Sequence, residues 1–476
     1  MIAKMEINQE YVINRLNAIE PLKNSKYENF DEIALSKLFA EVFKDCLTYN
    51  VTLKRFMYFD GTYWKTDDGT ETERMAQEFA TALYMHTLNS KRTDIKKRIF
   101  KLSERRARLN LIADAKTENR CSAEDFDKNP YELNCQNGIL NLLDGSFKGH
   151  NAKDKFSNIT NCQFEPDLDG ENRWIQFIDE IMGGDNEKVL YLQTVLGYAL
   201  LGTKREEKFW ILYGPKTRNG KSTLMESIAC CLGDYCTTAQ PASFEKKQFN
   251  NGGSGASEDI ARLAGTRLLK VSEPDKGMRL DCRIIKEMTG NSRITARGLH
   301  QSSFEFYSNF ALVFDCNNLP LIEDDTVFSS NRVKVIRFDE TFPDNSDRQD
   351  KTLKELFRTP TYKSIILNWL LEGLYNYNIN GLYEPSVITE ATEIYRAEND
   401  SIGTYLSEAL EEAEAGYLKA ADVFENYCDY CKITGRVAEG KIAFNAYLYA
   451  HGLLTKQKRI SGTVVKNIIL GYQFKS

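Results

Sequence analysis

Residues 209–233 read FWILYGPKTRNGKSTLMESIACCLG, and this stretch decides the fold class. It opens with five bulky apolar residues, Phe209–Tyr213, which predict a buried β-strand. A glycine-rich loop follows, and from Ser222 apolar residues recur at helical spacing until Gly233 ends the helix. Strand, loop and helix in this order form the setting in which a protein loop holds phosphate groups.

The loop carries the groups that phosphate binding needs. Its backbone N–H groups and the helix N-terminus would point at phosphate oxygens, where the helix dipole favours negative charge. Lys221 is expected to reach the β- and γ-phosphates of ATP, and the Ser222 hydroxyl to hold Mg²⁺. Five residues separate Gly214 from Gly220, one more than the general motif has, so we expect a bulge at the entry of the loop. The predicted nucleotide-binding residues are Gly214, Asn219, Gly220, Lys221, Ser222 and Thr223.

Two further apolar stretches, residues 267–271 and 310–314, are predicted strands that end in polar residues. Glu273 follows the first and Asn317 follows the second. Because parallel sheets bind ligands at the carboxyl ends of their strands, both side chains are expected near the γ-phosphate. Glu273 is predicted to activate the attacking water and to support Mg²⁺, and Asn317 to hold that water or the γ-phosphate. The alternatives are a strand-end carboxylate on the surface and an asparagine-rich turn.

Arg332 stands immediately before another predicted strand, residues 333–338. An arginine at a strand start can reach the nucleotide of a neighbouring subunit and stabilise charge in the transition state. A structural salt bridge is the alternative role for a single arginine in this position.

Several segments beyond the loop share an order and spacing that resemble the superfamily 3 helicases. The resemblance is to the phage and plasmid helicase–primase type, with a poxvirus-like N-terminal helicase region, and it covers residues 120–340. The segments are LNCQNGIL (133–140), YLQ (191–193), GYAL (197–200), KEMTGN (286–291), ITAR (294–297), NNLP (317–320) and Arg332.

The resemblance assigns roles to individual residues. It identifies Lys221 with the end of the Walker A motif, Glu273 with the Walker B acid, Asn317 with sensor 1 and Arg332 with the arginine finger. The family often has two adjacent arginines at the last position, where this chain has Asn331 first, and often more than one Walker B acid, where only Glu273 stands in the expected place.

The resemblance also implies a DNA-binding hairpin. Residues 291–306 are similar to the hairpin that lines the channel of the family's rings, and its available contacts here are Arg293, Arg297 and His300. These side chains can bind phosphate without reading sequence. A solvated β-turn with incidental charges is the alternative.

The sequence predicts five regions along an α/β chain. These are a mainly helical N-terminal region (1–115), a connector with a helical collar (116–205), a P-loop, AAA+-like motor (206–345), a helical extension (346–400) and a winged-helix-like C-terminal module (401–476). Within the last region we expect helices over 402–413, 420–431 and 441–451, followed by a two-stranded end.

Composition limits the remaining possibilities. The net charge of -6 excludes a chain that binds DNA through overall positive charge, so any DNA contact must be local. Residues 91–108 are locally basic, with nine Lys or Arg against Asp94 and Glu104, which fits either a solvated helix face or a nucleic-acid contact. The apolar runs are too short for a membrane span, and the eleven scattered cysteines are expected to be free thiols in the cytoplasm.

We therefore expect an ATP- and Mg²⁺-dependent, ring-forming DNA helicase of a phage, plasmid or mobile element in the cytoplasm of a bacterial host. The resemblance implies a hexamer, 3′→5′ movement, single-stranded and forked DNA as partners, and a separate primase. Two alternatives stay open: a replication initiator that ATP assembles on origin DNA, and a P-loop NTPase that forms no ring.

Overall fold

The computed structural model describes residues 7–168, 173–246, 260, 262–290, 293–296, 304–344, 346, 348–434, 438–460 and 463–475. The helices are α1 (Gln9–Ile19), α2 (Glu32–Val42), α3 (Thr70–Thr87), α4 (Thr93–Phe100), α5 (Arg105–Ala115), α6 (Arg173–Met182), α7 (Asn186–Tyr198), α8 (Lys221–Leu232), α9 (Cys282–Thr289), α10 (Thr326–Ser329), α11 (Leu353–Leu356), α12 (Pro360–Asn380), α13 (Ser386–Asn399), α14 (Ser401–Ala409), α15 (Ala420–Thr434) and α16 (Lys441–Ala450). Among these described helices, none has the length and apolar character needed to cross a membrane.

The strands form several separate sheets. They are β1 (Leu47–Asn50), β2 (Arg55–Phe59), β3 (Trp64–Thr66), β4 (Arg120–Cys121), β5 (Glu132–Cys135), β6 (Gly138–Asn141), β7 (Phe147–Lys148), β8 (Phe209–Tyr213), β9 (Cys236–Ala239), β10 (Leu268–Ser272), β11 (Arg293–Ala296), β12 (Phe304–Tyr307), β13 (Ala311–Cys316), β14 (Val333–Arg337), β15 (Leu410–Lys419), β16 (Leu454–Ile460) and β17 (Thr463–Phe474).

A five-stranded parallel sheet lies at the centre, in the order β14-β8-β13-β10-β9. This confirms the predicted α/β class with a parallel sheet. All five strands have their carboxyl ends at one edge, so the loops that follow β8, β10 and β13 are brought together there. The register places Ser272 opposite Asp315, and Cys316 opposite Tyr213.

The central sheet is covered on both faces, as its nearly continuous apolar strands require. One face packs with α6, α7, α8 and α12 in a large core that also contains the connector strands β5 and β6. The other face packs with α9, α10 and α13. Alternate residues of β13 divide between the two cores, and Ala311 and Val313 face α8.

The N-terminal region has a hydrophobic core of its own, which runs from Ile7 to Phe126. Helices α1–α5 surround a small sheet in the order β3-β2-β1-β4. A turn at Asp60 and Gly61 connects β2 to β3, since Phe59 pairs with Trp64 across it.

The C-terminal module differs from the predicted arrangement at its start. The helix expected over 402–413 is wrong beyond Ala409, because the chain continues as β15. Glu and Ala favour a helix in LEEAEAGYLK, but pairing with β17 overrides that local preference. The result is a three-stranded sheet, β15-β17-β16, in a helix–strand–helix–helix–strand–strand order around a separate core.

Candidate nucleotide site and DNA hairpin

The glycine-rich loop connects the buried strand β8 to α8, as predicted. Gly220 has φ 83°, a left-handed conformation that favours glycine, and a Cβ there would lie 2.3 Å from Cγ2 of Ile181. At the other end of the loop a Cβ on Gly214 would lie 1.8 Å from Nδ2 of Asn219. Both glycines are therefore needed for the loop to close against its surroundings.

The long entry of the loop is fastened by side chains and backbone. Asn219 is buried and donates from Nδ2 to the carbonyl of Lys216 at 2.7 Å. Arg218 has φ 63° and forms an ion pair with Asp344, while its carbonyl accepts from the N–H of Phe342 at 2.8 Å. The extra residue is thus accommodated by contacts with the segment that follows β14.

Lys221 is buried at the carboxyl edge of the sheet. Its Nζ donates to Oδ1 of Asn219 and to Oδ1 of Asn317, both at 2.9 Å. Burial holds the pKa of Lys221 below its ordinary value, although the carboxylates of Asp315 and Glu273 act in the opposite direction. The structure therefore brings Asn317, predicted from a separate part of the sequence, into contact with Lys221 of the loop.

Asp315 is a residue that sequence reasoning missed. It lies in β13 on the face that packs against α8, it is buried, and it interacts electrostatically with Lys221. Burial raises the pKa of the Asp315 carboxyl, and Lys221 opposes that rise. The register places it opposite Ser272, whose buried Oγ has no hydrogen-bond partner among the described residues. The available signal was a single carboxylate in the otherwise apolar strand ALVFDC.

Glu273 follows β10 at the same edge and is exposed. Its backbone has φ 53°, a left-handed conformation that costs a non-glycine residue about 1–3 kcal/mol. Its N–H donates to the carbonyl of Asp315 at 2.8 Å, which holds this conformation in place. Strained backbone of this kind is frequent at functional sites, where it orients a side chain.

A cavity of about 410 Å³ opens beside the loop and includes Ser222 and Thr223 in its wall. The charged side chains of its lining are mostly cationic: Arg218, Arg348, Lys351 and Lys354, against the acids Glu180 and Asp350. The volume lies in the range of small-molecule sites, and the charge suits a polyphosphate. Among the described residues, no cluster of three or more His, Cys, Asp or Glu could hold a metal alone. A Mg²⁺ site that uses one or two protein oxygens together with substrate phosphates does not need such a cluster.

Arg332 lies at the opposite edge of the sheet, where its carbonyl accepts from the N–H of Phe209 at the start of β8. Its guanidinium donates to Oγ1 of Thr289 at 3.0 Å and to Oε2 of Glu207 at 2.5 Å. The five-residue strand β8 separates Arg332 from Gly214, which is about 16 Å of extended backbone. The structure therefore does not bring Arg332 to the loop of its own chain.

The predicted hairpin is present as the antiparallel pair β11–β12. Arg293 is exposed at its start and donates to the hydroxyl of Tyr307 at 3.0 Å and to Glu305 at 3.3 Å. Arg297 and His300 lie outside the described residues.

The base of the hairpin is tied to the body of the protein on both sides. Lys204 is buried and donates from Nζ to the carbonyls of Met288 at 2.8 Å and Phe310 at 2.9 Å. Ser308 donates to the carbonyl of Gly290 at 3.0 Å. Because Arg332 contacts Thr289 in the same segment, the hairpin base and Arg332 form one connected group.

The comparisons with known proteins agree with the resemblance drawn from the sequence. Residues 36–183 match a family model described as D5 N terminal like, and residues 212–332 match a family of unknown function (DUF5906). The chain is 29% identical over 338 residues to a putative helicase of Acanthamoeba polyphaga mimivirus, an alignment that covers 67% of this chain and 35% of that protein. A putative helicase of Frog virus 3 is 27% identical over 47% of this chain and 24% of its own length. A putative helicase of Sputnik virophage is 27% identical over 44% of this chain and 28% of its own length.

A solved structure shows the same fold over most of the chain. The apo structure of the NrS-1 C terminal region has a TM-score of 0.52 and 11% identity, with 93% of this chain and 99% of that chain covered. The resemblance to phage and viral helicase–primase proteins is thus confirmed. The chain spans about a third or less of the viral relatives named above, so their whole-protein activities do not transfer directly.

Proposed function

We propose that this chain is the ATP-hydrolysing motor of a helicase–primase-type DNA replication protein. The observation that carries the proposal is the position of Lys221, held between Asn219 and Asn317 at the edge where Glu273 and Asp315 also lie. A loop lysine, an amide and two carboxylates at one sheet edge are the parts needed to bind and hydrolyse a nucleoside triphosphate. The family similarity supports the same reaction, with an AAA+-like motor as its fold.

The residues divide the reaction between them. The loop and Lys221 bind the phosphates, while Asn317 exchanges its contact with Lys221 for one with the γ-phosphate or the attacking water. Glu273 orients that water and accepts its proton as the water oxygen bonds to the γ-phosphorus and ADP leaves. Ser222, Glu273 and Asp315 would hold Mg²⁺, which supplies neutralisation of charge on the phosphate oxygens when it is bound. Asp315 then supplies the second carboxylate that the Walker B segment lacks.

We further propose that the active protein is a ring, hexameric as the resemblance implies. Arg332 is too far from the loop of its own chain to contact a nucleotide bound there. If Arg332 contacts a nucleotide, that nucleotide is therefore bound by a neighbouring subunit. Arg332 would have to leave its ion pair with Glu207 before it could contact that nucleotide. Its hydrogen bond to Thr289 would link this change of partner to the base of the hairpin. The hairpin residues Arg293, Arg297 and His300 would bind single-stranded or forked DNA in the channel, with 3′→5′ movement. A structural ion pair with Glu207 remains the alternative role for Arg332.

The test is the mass of the particle formed with a non-hydrolysable ATP analogue and single-stranded DNA. A hexamer that needs both ligands, and that unwinds forked DNA when ATP replaces the analogue, is the expected result. A strictly monomeric enzyme with full ATPase activity would instead identify a P-loop NTPase that forms no ring.

A replication initiator remains the second candidate, because the C-terminal module has the helix and strand order of a winged helix. Such a module would bind origin DNA, and ATP would assemble the ring there with little unwinding. Duplex binding that survives competitor DNA of unrelated sequence would favour the initiator. The separate primase, the phage or plasmid source and the bacterial host cytoplasm stay predictions, and the three relatives described above come from viruses and a virophage.

A further inference from the structure

The N-terminal domain carries a surface that the proposed ATPase does not use. We propose that this surface, which we call the α4 surface and define as Tyr84, Lys97, Phe100 and Lys101, binds single-stranded nucleic acid. The inference is independent of the nucleotide site, since it concerns a different domain with its own hydrophobic core.

Two aromatic rings are exposed at the centre of the α4 surface. Phe100 is 62% exposed and Tyr84 is 39% exposed, and their ring centroids lie 6.1 Å apart. The neighbouring Met85 and Leu88 are about half exposed as well. Buried Ile95 and Ile99 anchor the opposite side of α4, so the exposure of Phe100 follows from the helix register.

Lysines flank the rings on the same side of the helix. Lys97 lies three residues before Phe100, which is a same-face spacing, and Lys101 lies four residues after Lys97. Both lysines are exposed. The two rings are tilted by 57° to each other, so each presents its own face. An exposed aromatic ring close in the chain to exposed cations is the arrangement that stacks a base and holds the neighbouring phosphates.

The positive charge of this region is largely unbalanced. Within residues 91–108 the ion pairs formed by described residues are Arg92 with Asp94 and Arg105 with Glu73. Three further cations, Lys96, Arg98 and Arg108, donate to backbone carbonyls. No ion pair is formed with a described residue by Lys91, Lys97, Lys101 or Arg106. The two acids of the segment, Asp94 and Glu104, lie three residues from Lys97 and Lys101, a spacing at which helical ion pairs form. Asp94 pairs with Arg92 instead, and among the described residues no ion pair joins Glu104 to Lys101.

Single-stranded nucleic acid fits both the lysines and the aromatic rings of the α4 surface. Its phosphates match the unpaired lysines, and its unstacked bases cover the exposed rings, which a duplex cannot do because its bases are already stacked. An acidic protein would satisfy the charge and leave the aromatic rings without a matching partner.

The test measures binding of a fluorescent thymidine 20-mer to the full chain without nucleotide, by anisotropy, over a series of salt concentrations. The variants are Lys97→Gln with Lys101→Gln, and separately Phe100→Ala. The matched control removes the same charge elsewhere, as Lys153→Gln with Lys432→Gln, two exposed lysines outside the surface. A bromodeoxyuridine-substituted strand is cross-linked in parallel, and the linked peptides are identified by mass spectrometry.

The two kinds of variant should act differently. Loss of two phosphate contacts should weaken binding about tenfold at low salt and reduce the slope of log K against log salt by about 1.4. Phe100→Ala should weaken binding about fivefold or more at every salt concentration, with the slope unchanged, because stacking releases no counterions. Cross-links should fall in the peptides that contain Tyr84 or Phe100.

Each of the following outcomes would overturn the proposal. The lysine pair and its control pair could lose equal affinity, cross-links could map only to other domains, or Phe100→Ala could bind as tightly as the unaltered chain. Tight binding of an acidic protein or of duplex DNA that ignores Phe100 would also refute the assignment to single strands. None of these outcomes bears on ATP hydrolysis, which is measured separately with the Lys221→Ala protein.

Discussion

Two buried lysines lie at opposite edges of the central sheet, and their partners differ in kind. Lys221, at the carboxyl edge, donates to the side-chain amides of Asn219 and Asn317. Lys204, at the amino edge, donates to the backbone carbonyls of Met288 and Phe310 and lies 4.8 Å from the ring centroid of Phe310. Burial lowers the pKa of both lysines, and it brings that of Lys204 to about 7.

Lys221 can exchange its hydrogen-bond partners, and we call it the exchanging lysine. Lys204 cannot, and we call it the fixed lysine. Side-chain amides can rotate away when a phosphate arrives, so Lys221 can transfer its N–H donors to a ligand. The carbonyls that hold Lys204 belong to the backbone on both sides of the hairpin, and they cannot move without moving the hairpin itself. One edge is therefore suited to ligand binding, and the other to connecting the sheet with the hairpin and with Arg332.

The largest expected effect is at the exchanging lysine. Lys221→Ala should abolish measurable ATP hydrolysis and weaken ATP binding, because the loop loses the charge that faces the phosphates. Steady-state phosphate release and binding of a fluorescent ATP analogue measure the two effects. The exposed Lys153→Ala serves as the control and should match the unaltered protein. Normal hydrolysis by Lys221→Ala would remove the loop from the active site.

At the opposite edge, Arg332→Ala should bind ATP normally and, if Arg332 is an arginine finger, hydrolyse it about 10³–10⁵ times more slowly. If Arg332 acts on a neighbour, mixing this protein with Lys221→Ala should restore measurable hydrolysis. Hybrid interfaces would then combine an intact loop with an intact arginine.

The control mixture contains the Lys221→Ala protein and a double variant that carries both Lys221→Ala and Arg332→Ala. That mixture contains no intact pair and should stay inactive. Exchange of subunits is first shown by co-purification of differently tagged chains. If mixed rings form and no activity returns, or if Glu207→Gln alone causes the same loss, Arg332 is a structural arginine held by Glu207.

Substitution of the carboxylates at the carboxyl edge of the sheet, Glu273 and Asp315, should reduce nucleotide hydrolysis or Mg²⁺-dependent binding by a somewhat smaller factor. Glu273→Gln should bind ATP and hydrolyse it about 10²–10⁴ times more slowly, since the amide cannot accept the proton of water. Asp315→Asn should raise the Mg²⁺ concentration needed for tight binding of a fluorescent ADP analogue. Asp275→Asn, an exposed acid two residues after Glu273, is the matched control and should change neither measurement. If Asp315→Asn leaves the Mg²⁺ dependence of ADP binding unchanged, its carboxylate is not part of the metal site.

The local parts of this architecture could be predicted from the sequence. Strand β8, the loop and α8 are contiguous, so their order and spacing are visible directly. Glu273 and Asn317 could be placed at the same edge because parallel strands share a direction. Because all parallel strands end at one edge of the sheet, Glu273 and Asn317 could be expected near Lys221 without knowledge of the strand order.

The missed features depend on which elements pair. Asp315 lies opposite Ser272 only because β10 and β13 are neighbours in a particular register, and spacing along the chain does not specify that register. The partners of Arg332, Glu207 and Thr289, are likewise distant in sequence. The first four residues of β15, 410–413, were predicted as helix because Glu and Ala favour a helix, and pairing with β17 decided the outcome.

The smallest effect is expected at the fixed lysine, and it appears in stability. The ordinary pKa of 10.5 applies in the unfolded chain, and the pKa of Lys204 in the folded protein is about 7. Between about pH 7 and pH 10.5 the unfolded chain therefore binds more protons, so the contribution of Lys204 to stability improves as the pH rises. Below pH 7 both states are protonated and the contribution is constant and unfavourable.

Lys204→Met should isolate this dependence. Losing the hydrogen bonds to Met288 and Phe310 costs about 1–3 kcal/mol at every pH, because two buried carbonyls are left without a donor. Above about pH 7, the unfolding free energy of the unaltered protein minus that of the variant should rise by up to about 1.4 kcal/mol per pH unit. Urea unfolding from pH 6 to pH 9 measures it, and Lys153→Met, an exposed lysine, should give a difference that is flat with pH. A flat difference for Lys204→Met as well would mean that Lys204 stays charged in the folded protein. The two edges would then hold their lysines in the same way, and the contrast between an exchanging and a fixed lysine would rest on hydrogen-bond partners alone.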